Sequence, residues 1–550
     1  MTSSNRNTLI QSVGVRNIYI LFIIYFIANI TYLVNIDALY WDDWVVYNQE
    51  YSTLARFAEM IRNTTYTLNF VFLNIFNNIG NGIYGFRLSL FLMYFISALI
   101  VIYILKTIKI FNNQSAYLIG LFYLINPVFH TKAVITILQF YVSVFLFFIA
   151  WYWLASNIKK LYWYHRVIIL LLFFNSFVFN SLLVLYALVP LYIFYKQYYD
   201  PNEKINFLNK VKNFLRGNID FILVPIVFFI YKLVFMNPSG LYAGYNEISI
   251  KNLKVLLKTN FDFPLFNFIE NSAILFWEFG LISAVIAILA MFLPRFREFL
   301  HIKLPTYKVS VIMLAIGLFG MLLAIFPYSM VGKVPTLFGW DSRFYLLTLV
   351  PESIVLYAFL MLVLKSISNL PYICIKETVR NQISIGIFMF LVTIFLCRSL
   401  HDQHRLNIDW FYQFGIQQNF IDSTVISNNQ TFVVYNNTQS SFAYGRTFNH
   451  YEWTGLLKQA FNDDSRLMVP SYIKRKNIPS FKRLGDYKHY NHSTWKMTNP
   501  IGVRIEYKQD LDAVTIAKLY WYRLFNNDQY KDLSKKLVSI SYIYKFKEQK

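Results

Sequence analysis

The residues best suited to chemistry are two adjacent carboxylates, Asp42 and Asp43, that follow the first long apolar run and stand between tryptophans. A carboxylate can act as general base on a hydroxyl group, and a second one nearby can hold a divalent cation or ligand hydroxyls. The alternative is a solvated loop whose tryptophans belong to the aromatic belt of a membrane interface. The pattern predicts Asp42 and Asp43 as catalytic candidates, with Asp37 and Trp44 as substrate-binding candidates.

A second candidate is Arg343, in a segment that closes one polar loop and opens the next apolar run. Its planar guanidinium can bind a phosphate group through two hydrogen bonds. Lys333 lies in the same loop and can add a second cation, and Asp341 stands between them in sequence. The alternative is that both cations extend toward lipid headgroups, as cations at span ends commonly do. We expect Arg343 and Lys333 to bind phosphate and Asp341 to contact substrate.

Two turns supply further candidates. A tight Asn-Pro turn carries His130 and Lys132, which can contact phosphate or pyrophosphate, although a lone histidine in such a turn is more often structural. A turn-rich loop further on carries Tyr242 and Tyr245, whose aromatic rings suit stacking on sugars. A turn packed on the membrane interface is the alternative for this loop.

Three charged residues fall within apolar runs, namely Lys232, Glu278 and Glu352. Ionisable groups inside a membrane are functional hypotheses by default and usually pair or face a cavity. Lys232 and Glu278 are predicted near the same end of their helices, where they can form a structural ion pair. Glu278 is also a substrate-binding candidate, because it can line the same cavity as the residues above.

The elements that must position these residues are membrane spans. The 550-residue chain is 56% hydrophobic and 19% aromatic, with a mean hydropathy of +0.41. A soluble protein rarely carries so much apolar character. Apolar runs of spanning length recur from Ile18 to Cys397, so we predict a polytopic α-helical membrane protein with about eleven transmembrane helices.

The predicted spans share a length and an apolar composition that suit a bilayer. They are Ile18–Val34, Leu88–Leu105, Ala116–Phe129, Ala133–Leu154, Val167–Phe179, Leu182–Tyr195, Ile219–Phe235, Ala273–Leu293, Val309–Phe326, Phe344–Leu364 and Ile383–Cys397.

The formal net charge is +22, and many of the cations lie in short loops between spans. Cation-rich loops are typically cytoplasmic, which predicts a cytoplasmic N-terminus and an extracytoplasmic C-terminus. The carboxylate loop, the Asn237–Asn271 loop, the Tyr328–Arg343 loop and the C-terminal part then lie together on the outer side. Because the positive charge serves orientation, we expect membrane lipids rather than nucleic acid as partners.

From about His401 the composition becomes polar and charged. We therefore divide the chain into a membrane domain, residues 1–400, and a small extracytoplasmic α/β domain, residues 401–550. The patterns in the second part favour helices and strands in alternation. The predicted helices are Leu406–Ile426, Glu452–Phe461 and Ala513–Phe525, and the predicted strands are Thr431–Tyr435, Val503–Tyr507 and Leu537–Tyr544.

This layout resembles the GT-C superfamily of integral-membrane glycosyltransferases. Paired acids open the first outer loop, an arginine stands in a late outer loop, and an external domain ends the chain. The segments Trp41–Trp44, Pro238–Tyr242 and Gly339–Arg343 look most like bacterial glucosyltransferase-type proteins that modify surface polysaccharide such as O-antigen. The resemblance covers the chain to about Cys397, and the C-terminal domain carries no motif that adds to it.

The resemblance implies a sugar donor on polyprenyl phosphate, a glycan or lipid-linked acceptor, and a location in the bacterial cytoplasmic membrane. A nucleotide-sugar donor lacks an obvious site, because the sequence shows no Gly-rich phosphate loop or dinucleotide fingerprint. Asp42 or Asp43 would then deprotonate the acceptor, and Arg343 with Lys333 or Lys132 would stabilise the departing phosphate. No cofactor is required by the pattern, although some family members use a divalent cation, Mg²⁺ or Mn²⁺, for which Asp42 and Asp43 are the candidate ligands.

Three alternatives remain open from sequence. A polysaccharide polymerase or ligase also uses lipid-linked sugar, but those enzymes usually depend on arginines in large outer loops. A flippase or transporter of lipid-linked sugar often has inverted repeats and broken mid-membrane helices, and no repeat is found here. A membrane scaffold whose C-terminal part binds a partner is the third. The sequence leaves the oligomeric state open.

Overall fold

The structure is a computed structural model. It describes residues 3–46, 82–108, 110–198, 207–236, 248–249, 252, 268–291, 305–336, 339–368, 377–438, 442–463, 465–471, 500–509 and 511–543. The predicted sugar-stacking residues Tyr242 and Tyr245 lie outside this described part.

Helices dominate the described chain, and several begin at a side-chain cap that satisfies a free backbone N–H. The α-helices are α1 Ser3–Val34, α2 Asp43–Val46, α3 Gly82–Thr107, α4 Asn113–Ile125, α5 Leu138–Asn157, α6 Trp163–Ser176, α7 Leu182–Leu185, α8 Leu188–Tyr198, α9 Phe207–Gly217, α10 Ile219–Phe235, α11 Phe268–Met291, α12 Tyr307–Met330, α13 Leu349–Ser368, α14 Glu377–Ile421, α15 Thr424–Ser427, α16 His450–Phe461, α17 Ala513–Phe525 and α18 Asn527–Lys536. Short 3-10 helices are η1 His130–Ala133, η2 Ile135–Ile137, η3 Trp340–Tyr345 and η4 Ala443–Gly445.

Six of the described helical segments are long and apolar enough to cross a membrane. They are Val15–Val34, Gly82–Thr107, Ile135–Asn157, Tyr307–Met330, Leu349–Ile367 and Gln382–Ile421. A seventh span is present if α9 and α10, which meet at 59°, act as one broken span. The chain is therefore a polytopic membrane protein, and the predicted count of about eleven spans is not confirmed.

The difference in count has a physical basis in helix length. A spanning helix needs about 20 residues. The predicted spans at Ala116–Phe129 and Val167–Phe179 correspond to α4 and α6, which have 13 and 14 residues. Apolar sequence alone does not distinguish a span from a short helix buried among other helices, and α4 is of the second kind, because nearly all of its side chains are buried.

The last predicted span and the first predicted helix of the C-terminal domain form one element. Helix α14 runs for 45 residues from Glu377 to Ile421. The segment between Cys397 and Leu406 is polar but contains no proline or glycine, so nothing in its backbone ends the helix. The predicted division at residue 400 falls inside α14, and this helix connects the membrane part rigidly to the C-terminal part.

Helices α1 and α14 are joined by the side chain of Gln403, which is buried. Its Nε2 donates to Ala28 O at 2.7 Å, and its Oε1 accepts from Tyr32 N at 3.1 Å. In a regular α-helix, the Tyr32 N–H would donate directly to the Ala28 carbonyl, four residues earlier. The Thr31 hydroxyl also donates to Gln403 Oε1, at 2.8 Å. The amide thus enters the hydrogen-bond ladder of α1 near its C-terminal end and fixes the two helices to each other.

The C-terminal part contains a four-stranded sheet of β1 Thr431–Asn436, β2 Leu467–Pro470, β3 Ile501–Tyr507 and β4 Val538–Ile543. The strand order is β2-β1-β3-β4. Strand β1 is parallel to β2 and β3, and β4 is antiparallel to β3. The predicted strands correspond to β1, β3 and β4, while β2 and α18 were not predicted. A small α/β unit is therefore present.

Described parts of the polar segments that were predicted to share one side of the membrane contact one another or the end of a long helix. The loop after α1 contacts α16, and η1 packs on η3. Of the Asn237–Asn271 loop, Ser249 N and Asn252 Nδ2 both donate to Met330 O at the end of α12. This end of the bundle also carries the C-terminal sheet, so it is where a site can form.

We expect Q403L to lower the free energy of unfolding by about 1–3 kcal/mol, because leucine leaves the Ala28 carbonyl and the Tyr32 N–H without the amide. Thermal unfolding in one detergent measures the change. The matched control is Q382L, at an exposed position of the same helix. Equal melting temperatures for the two variants would show that α1 closes its own ladder and that Gln403 is dispensable.

Candidate active site

The site is organised by a turn at Trp41 in the loop that follows α1. Trp41 has φ +47°, a left-handed conformation that is rare for a bulky side chain. Its ring stacks on Trp340 of η3, with centroids 6.0 Å apart, and the Arg446 guanidinium lies 5.1 Å from the ring centroid. Contacts with two distant parts of the chain therefore hold this turn in an unfavourable backbone state. The two carboxylates that follow meet different surroundings.

Asp43 is fully buried. Its Oδ1 accepts a hydrogen bond from Thr136 N at 3.0 Å, and its Oδ2 accepts one from Tyr40 N at 3.2 Å. Burial raises the pKa of Asp43 to about 7, and the charge of nearby Arg87 opposes that rise. With both oxygens engaged by backbone groups and none of its surface exposed, Asp43 fixes the loop to η2 and does not face a substrate.

Asp42 is only half-buried. Its Oδ1 accepts a hydrogen bond from the Tyr451 hydroxyl at 3.1 Å, and that hydroxyl accepts one from Asn449 Nδ2 at 3.0 Å. Burial raises the pKa of Asp42, and the positive charge of Arg343 is the largest opposing influence. The charge of Arg343 thus acts on the Asp42 carboxyl, and the segments that carry the two residues meet where Trp41 stacks on Trp340, which Arg343 contacts.

Arg343 lies in η3, which follows Gly339 at φ +76° and ψ −155°, a conformation that favours glycine. Its guanidinium lies 4.2 Å from the ring centroid of Trp340 and 4.9 Å from that of Phe344. The Arg343 Nη2 is 3.5 Å from Asp341 Oδ1, and the Asp341 side chain is half-exposed. The aromatic rings restrict the orientation of Arg343, whose side chain is 17% exposed.

Lys333 belongs to the same group. Its ammonium lies 5.8 Å from the centroid of Phe344. Burial and, second to it, the charge of Arg343 lower the pKa of Lys333 to about 8, with the Asp341 charge opposing them. The structure thus places the two cations predicted to bind phosphate next to each other.

Lys132 does not join this group. Its Nζ donates to Ser399 Oγ of α14 at 3.0 Å, and burial lowers its pKa to about 8 with Asp402 opposing. The backbone of η1 still borders the site, because Thr131 N donates to Ser342 Oγ at 3.3 Å. His130 begins η1, and its side chain lies outside the described part. The prediction that Lys132 binds the same phosphate as Arg343 does not fit this placement.

Two other predicted binding residues serve packing. Asp37 forms an ion pair with Arg523 of α17. Trp44 is buried, its indole N–H donates to Gln413 Oε1 at 3.2 Å, and its ring lies against Gly455. Neither side chain faces Arg343, because both are directed toward the C-terminal part. Each one attaches the loop after α1 to that part.

Glu278 has a different partner from the one the sequence suggested. Its Oε2 is 3.5 Å from Arg398 Nη1 of α14, and Arg398 Nε donates to Asp402 at 2.9 Å. The alternative of a structural ion pair is therefore the one seen, with Arg398 rather than Lys232 as the cation. Sequence position could not identify Arg398, because it follows the last predicted span, which ends at Cys397, and lies 120 positions from Glu278.

The sequence analysis did not identify a buried charge network that contacts Trp41 through Arg446. Arg446 binds Asp409 of α14 through Nε at 2.7 Å and Nη2 at 3.2 Å, and its Nη1 pairs with Glu452 of α16. The Glu452 side chain also accepts from Asn449 N at 2.8 Å, completing a capping box at the start of α16. The Asn-x-x-Glu spacing was a readable signal for this helix start. No sequence signal pairs residues 409 and 446.

Asp42 and Asp43 were also predicted as the ligands of a shared divalent cation. Such a site needs oxygens from both Asp42 and Asp43, but those of Asp43 are enclosed and already accept backbone N–H groups. In the part of the chain that the structure describes, no group of three histidine, cysteine or acidic side chains is arranged to hold a metal ion. The two acids as placed do not fit a common Mg²⁺ or Mn²⁺ site.

Comparison with known proteins gives no match, either to a family model or to a curated protein. A function must therefore be inferred from the chemistry of the site itself.

Asp43 predicts a pH dependence of stability. A carboxyl pKa raised from 3.8 to about 7 by folding means that the folded state binds the proton more tightly than the unfolded chain. The contribution to stability is then complete below the unfolded pKa and is lost as pH rises toward 7. Between about pH 5 and about pH 8 the wild type should lose about 2–3 kcal/mol relative to D43N.

Melting curves of wild type and D43N over this pH range measure the difference. Asparagine has one acceptor oxygen instead of two, so D43N loses one hydrogen bond from a backbone N–H at every pH. That loss lowers the stability of D43N by a constant amount and does not change how its stability depends on pH. Parallel pH profiles for the two proteins would contradict a buried, proton-binding Asp43.

The buried network predicts that R446M is destabilising by about 3–5 kcal/mol, since it leaves Asp409 and Glu452 buried without their cation. The triple variant R446M/D409N/E452Q should recover much of this loss, because no buried charge remains. K531M, which removes a cation from an exposed pair with Asp528, is the control and should change stability by less than about 1 kcal/mol. A single variant as stable as the control would contradict the role of the network.

Proposed function

We propose that the protein is a membrane glycosyltransferase that moves a sugar from a polyprenyl-phosphate donor to a hydroxyl of a surface glycan or lipid-linked acceptor. The supporting observation is that the charge of Arg343 acts on the Asp42 carboxyl, while Trp41, next to Asp42, stacks on Trp340, which contacts Arg343. This combination suits a reaction in which a hydroxyl loses a proton while a phosphate departs. We place the reaction on the outer face of the bacterial cytoplasmic membrane.

Asp42 is the base in this proposal. As the acceptor oxygen forms its bond to the anomeric carbon, its proton passes to the Asp42 carboxylate. Burial, which raises the pKa of Asp42, makes the carboxylate a stronger base than a solvated aspartate. The Tyr451 hydroxyl orients the carboxylate through Oδ1. Asp43 serves as a positioning residue, because its oxygens hold the loop through backbone groups.

Arg343 and Lys333 stabilise the leaving group. The bond between the anomeric carbon and the phosphate oxygen breaks with its electron pair on that oxygen, so negative charge develops on the lipid phosphate. The fixed Arg343 guanidinium and the Lys333 ammonium offset this negative charge, and their side chains need not reorient during the reaction. The aromatic rings of Trp340 and Phe344, which hold Arg343 in place, limit that reorganisation further.

The position of the site supports a lipid-linked donor. Asp42 follows the span that ends at Val34, and Arg343 lies between the spans that end at Met330 and begin at Leu349. A donor with its polyprenyl chain in the bilayer would present its phosphate at this level. A transporter would be expected to place its polar groups near the midplane.

We expect D42N to lower sugar transfer by about 10²–10⁴-fold, because asparagine keeps the shape and the contact with Tyr451 but cannot take a proton. R343Q should lower it by about 10²–10³-fold. Transfer of labelled hexose from a panel of polyprenyl-phosphate sugars to extracted surface glycan, in detergent, gives the rates. D528N, at an exposed carboxylate of α18, is the matched control and should retain full activity.

Mass spectrometry of surface glycans from cells that carry each variant gives a second readout that does not depend on the choice of donor. D42N should lose the sugar that wild type and D528N add. Sugar transfer by D42N within a few-fold of the control rate would remove Asp42 as the base. Transmembrane movement of intact lipid-linked sugar, without a new glycosidic bond, would favour the transporter, and chain extension by whole repeat units would favour the polymerase.

A further inference from the structure

The C-terminal part carries an apolar stripe on α17 that is turned outward. Val514, Lys518, Trp521 and Phe525 follow one another at i, i+4, i+7 and i+11, so they lie on one side of the helix. Trp521 and Phe525 are 61% and 66% exposed, and their rings are 4.4 Å apart. The inner side, by contrast, is anchored by the fully buried Leu519. Two large adjacent aromatic rings so exposed on a folded domain indicate a binding surface.

The height of α17 relative to the bundle is fixed by polar contacts. The Tyr520 hydroxyl is 2.9 Å from His404 Nδ1 and accepts from Asn407 Nδ2 at 3.1 Å. The same Asn407 Nδ2 donates to Thr31 O, one turn before α1 ends at Val34. Helix α17 therefore lies at the level where the first span ends.

A second contact confirms this level. Arg523 of α17 pairs with Asp37, three residues beyond the end of α1, and Asp37 and, more weakly, Tyr84 raise the pKa of Arg523. Tyr84 lies in the first turns of α3, a spanning helix, and its side chain is partly exposed. The stripe on α17 is thus close to the outer surface of a span and at the height of its end.

We propose that the stripe formed by Val514, Lys518, Trp521 and Phe525 inserts into the interfacial layer of the lipid bilayer. Tryptophan and phenylalanine on an amphipathic helix favour the boundary between headgroups and acyl chains. Lys518, on the same stripe, can extend its ammonium to lipid phosphates while its methylenes cover apolar surface. The occupant is a lipid surface, because the stripe lies at the level of a membrane boundary that two independent contacts set, one through Asn407 and one between Arg523 and Asp37.

The consequence is that the C-terminal part is held by the membrane as well as by α14. Leu281, in the apolar helix α11 of the membrane part, is 84% exposed and serves as a reference position in that part. The proposal does not depend on the proposed reaction.

Fluorescence quenching by lipids tests the proposal. Single cysteines are introduced as W521C, F525C and K518C in a C374S/C397S background, and each is labelled with an environment-sensitive fluorophore. The labelled full-length protein is placed in vesicles that contain lipids with a doxyl quencher near the glycerol end of the acyl chain. L281C is the lipid-facing control, and D528C, on the neighbouring helix α18 and 94% exposed in its side chain, is the aqueous control.

The proposal expects quenching at 521 and 525 to approach that at 281 and to exceed that at 528 by roughly three-fold or more. K518C keeps both aromatic residues, so it tests the surface even if a change at 521 disturbs the domain. Quenching at 518, 521 and 525 equal to that at 528, with 281 still quenched, would overturn the proposal. In that case the stripe would be free for another protein rather than for lipid.

Discussion

The strained turn at Trp41 is the constraint on which the site depends. A tryptophan in a left-handed conformation costs on the order of 1–3 kcal/mol and persists only where surrounding structure over-determines it. Here the ring is held between Trp340 from the late loop and Arg446 from the C-terminal part. Because three parts of the chain meet on this one residue, displacing any of them would release the turn and change the direction of Asp42.

Buried charges fix the position of Arg446, which contacts Trp41. Arg446 is buried between Asp409 and Glu452, and both acids have further donors, Gln413 Nε2 and Ala443 N for Asp409 and Asn449 N for Glu452. A buried ion network contributes little net stability, but each partner is costly to remove. The network is therefore better understood as fixing the geometry of the Trp41 contact than as stabilising the fold.

Several residues that the sequence singled out lie near one another in the structure, whereas the elements around them were predicted less well. Asp42, Arg343, Lys333 and Asp341 were identified because carboxylates and cations at span ends stand out locally. Arg446 and Tyr451 were missed, since what makes them important is a contact with residue 41 or 42, some 400 positions away in sequence. Periodicity likewise identified α17 to the residue, yet could not show that α14 continues through a polar segment whose side chains are buried by partners elsewhere.

The roles of the two adjacent acids were separable only by structure. In sequence, Asp42 and Asp43 are equivalent carboxylates, and a one-residue difference in position decides which of them is enclosed by η2 and which stays half-buried within the influence of the Arg343 charge. In the proposed reaction, the influence of Arg343 on Asp42 couples binding of the lipid-phosphate donor to the basicity of Asp42. A phosphate bound by Arg343 adds negative charge beside Asp42 and offsets the guanidinium that now lowers its pKa. The proton affinity of Asp42 would then rise when the donor is in place, so that the base becomes strongest in the complex that needs it.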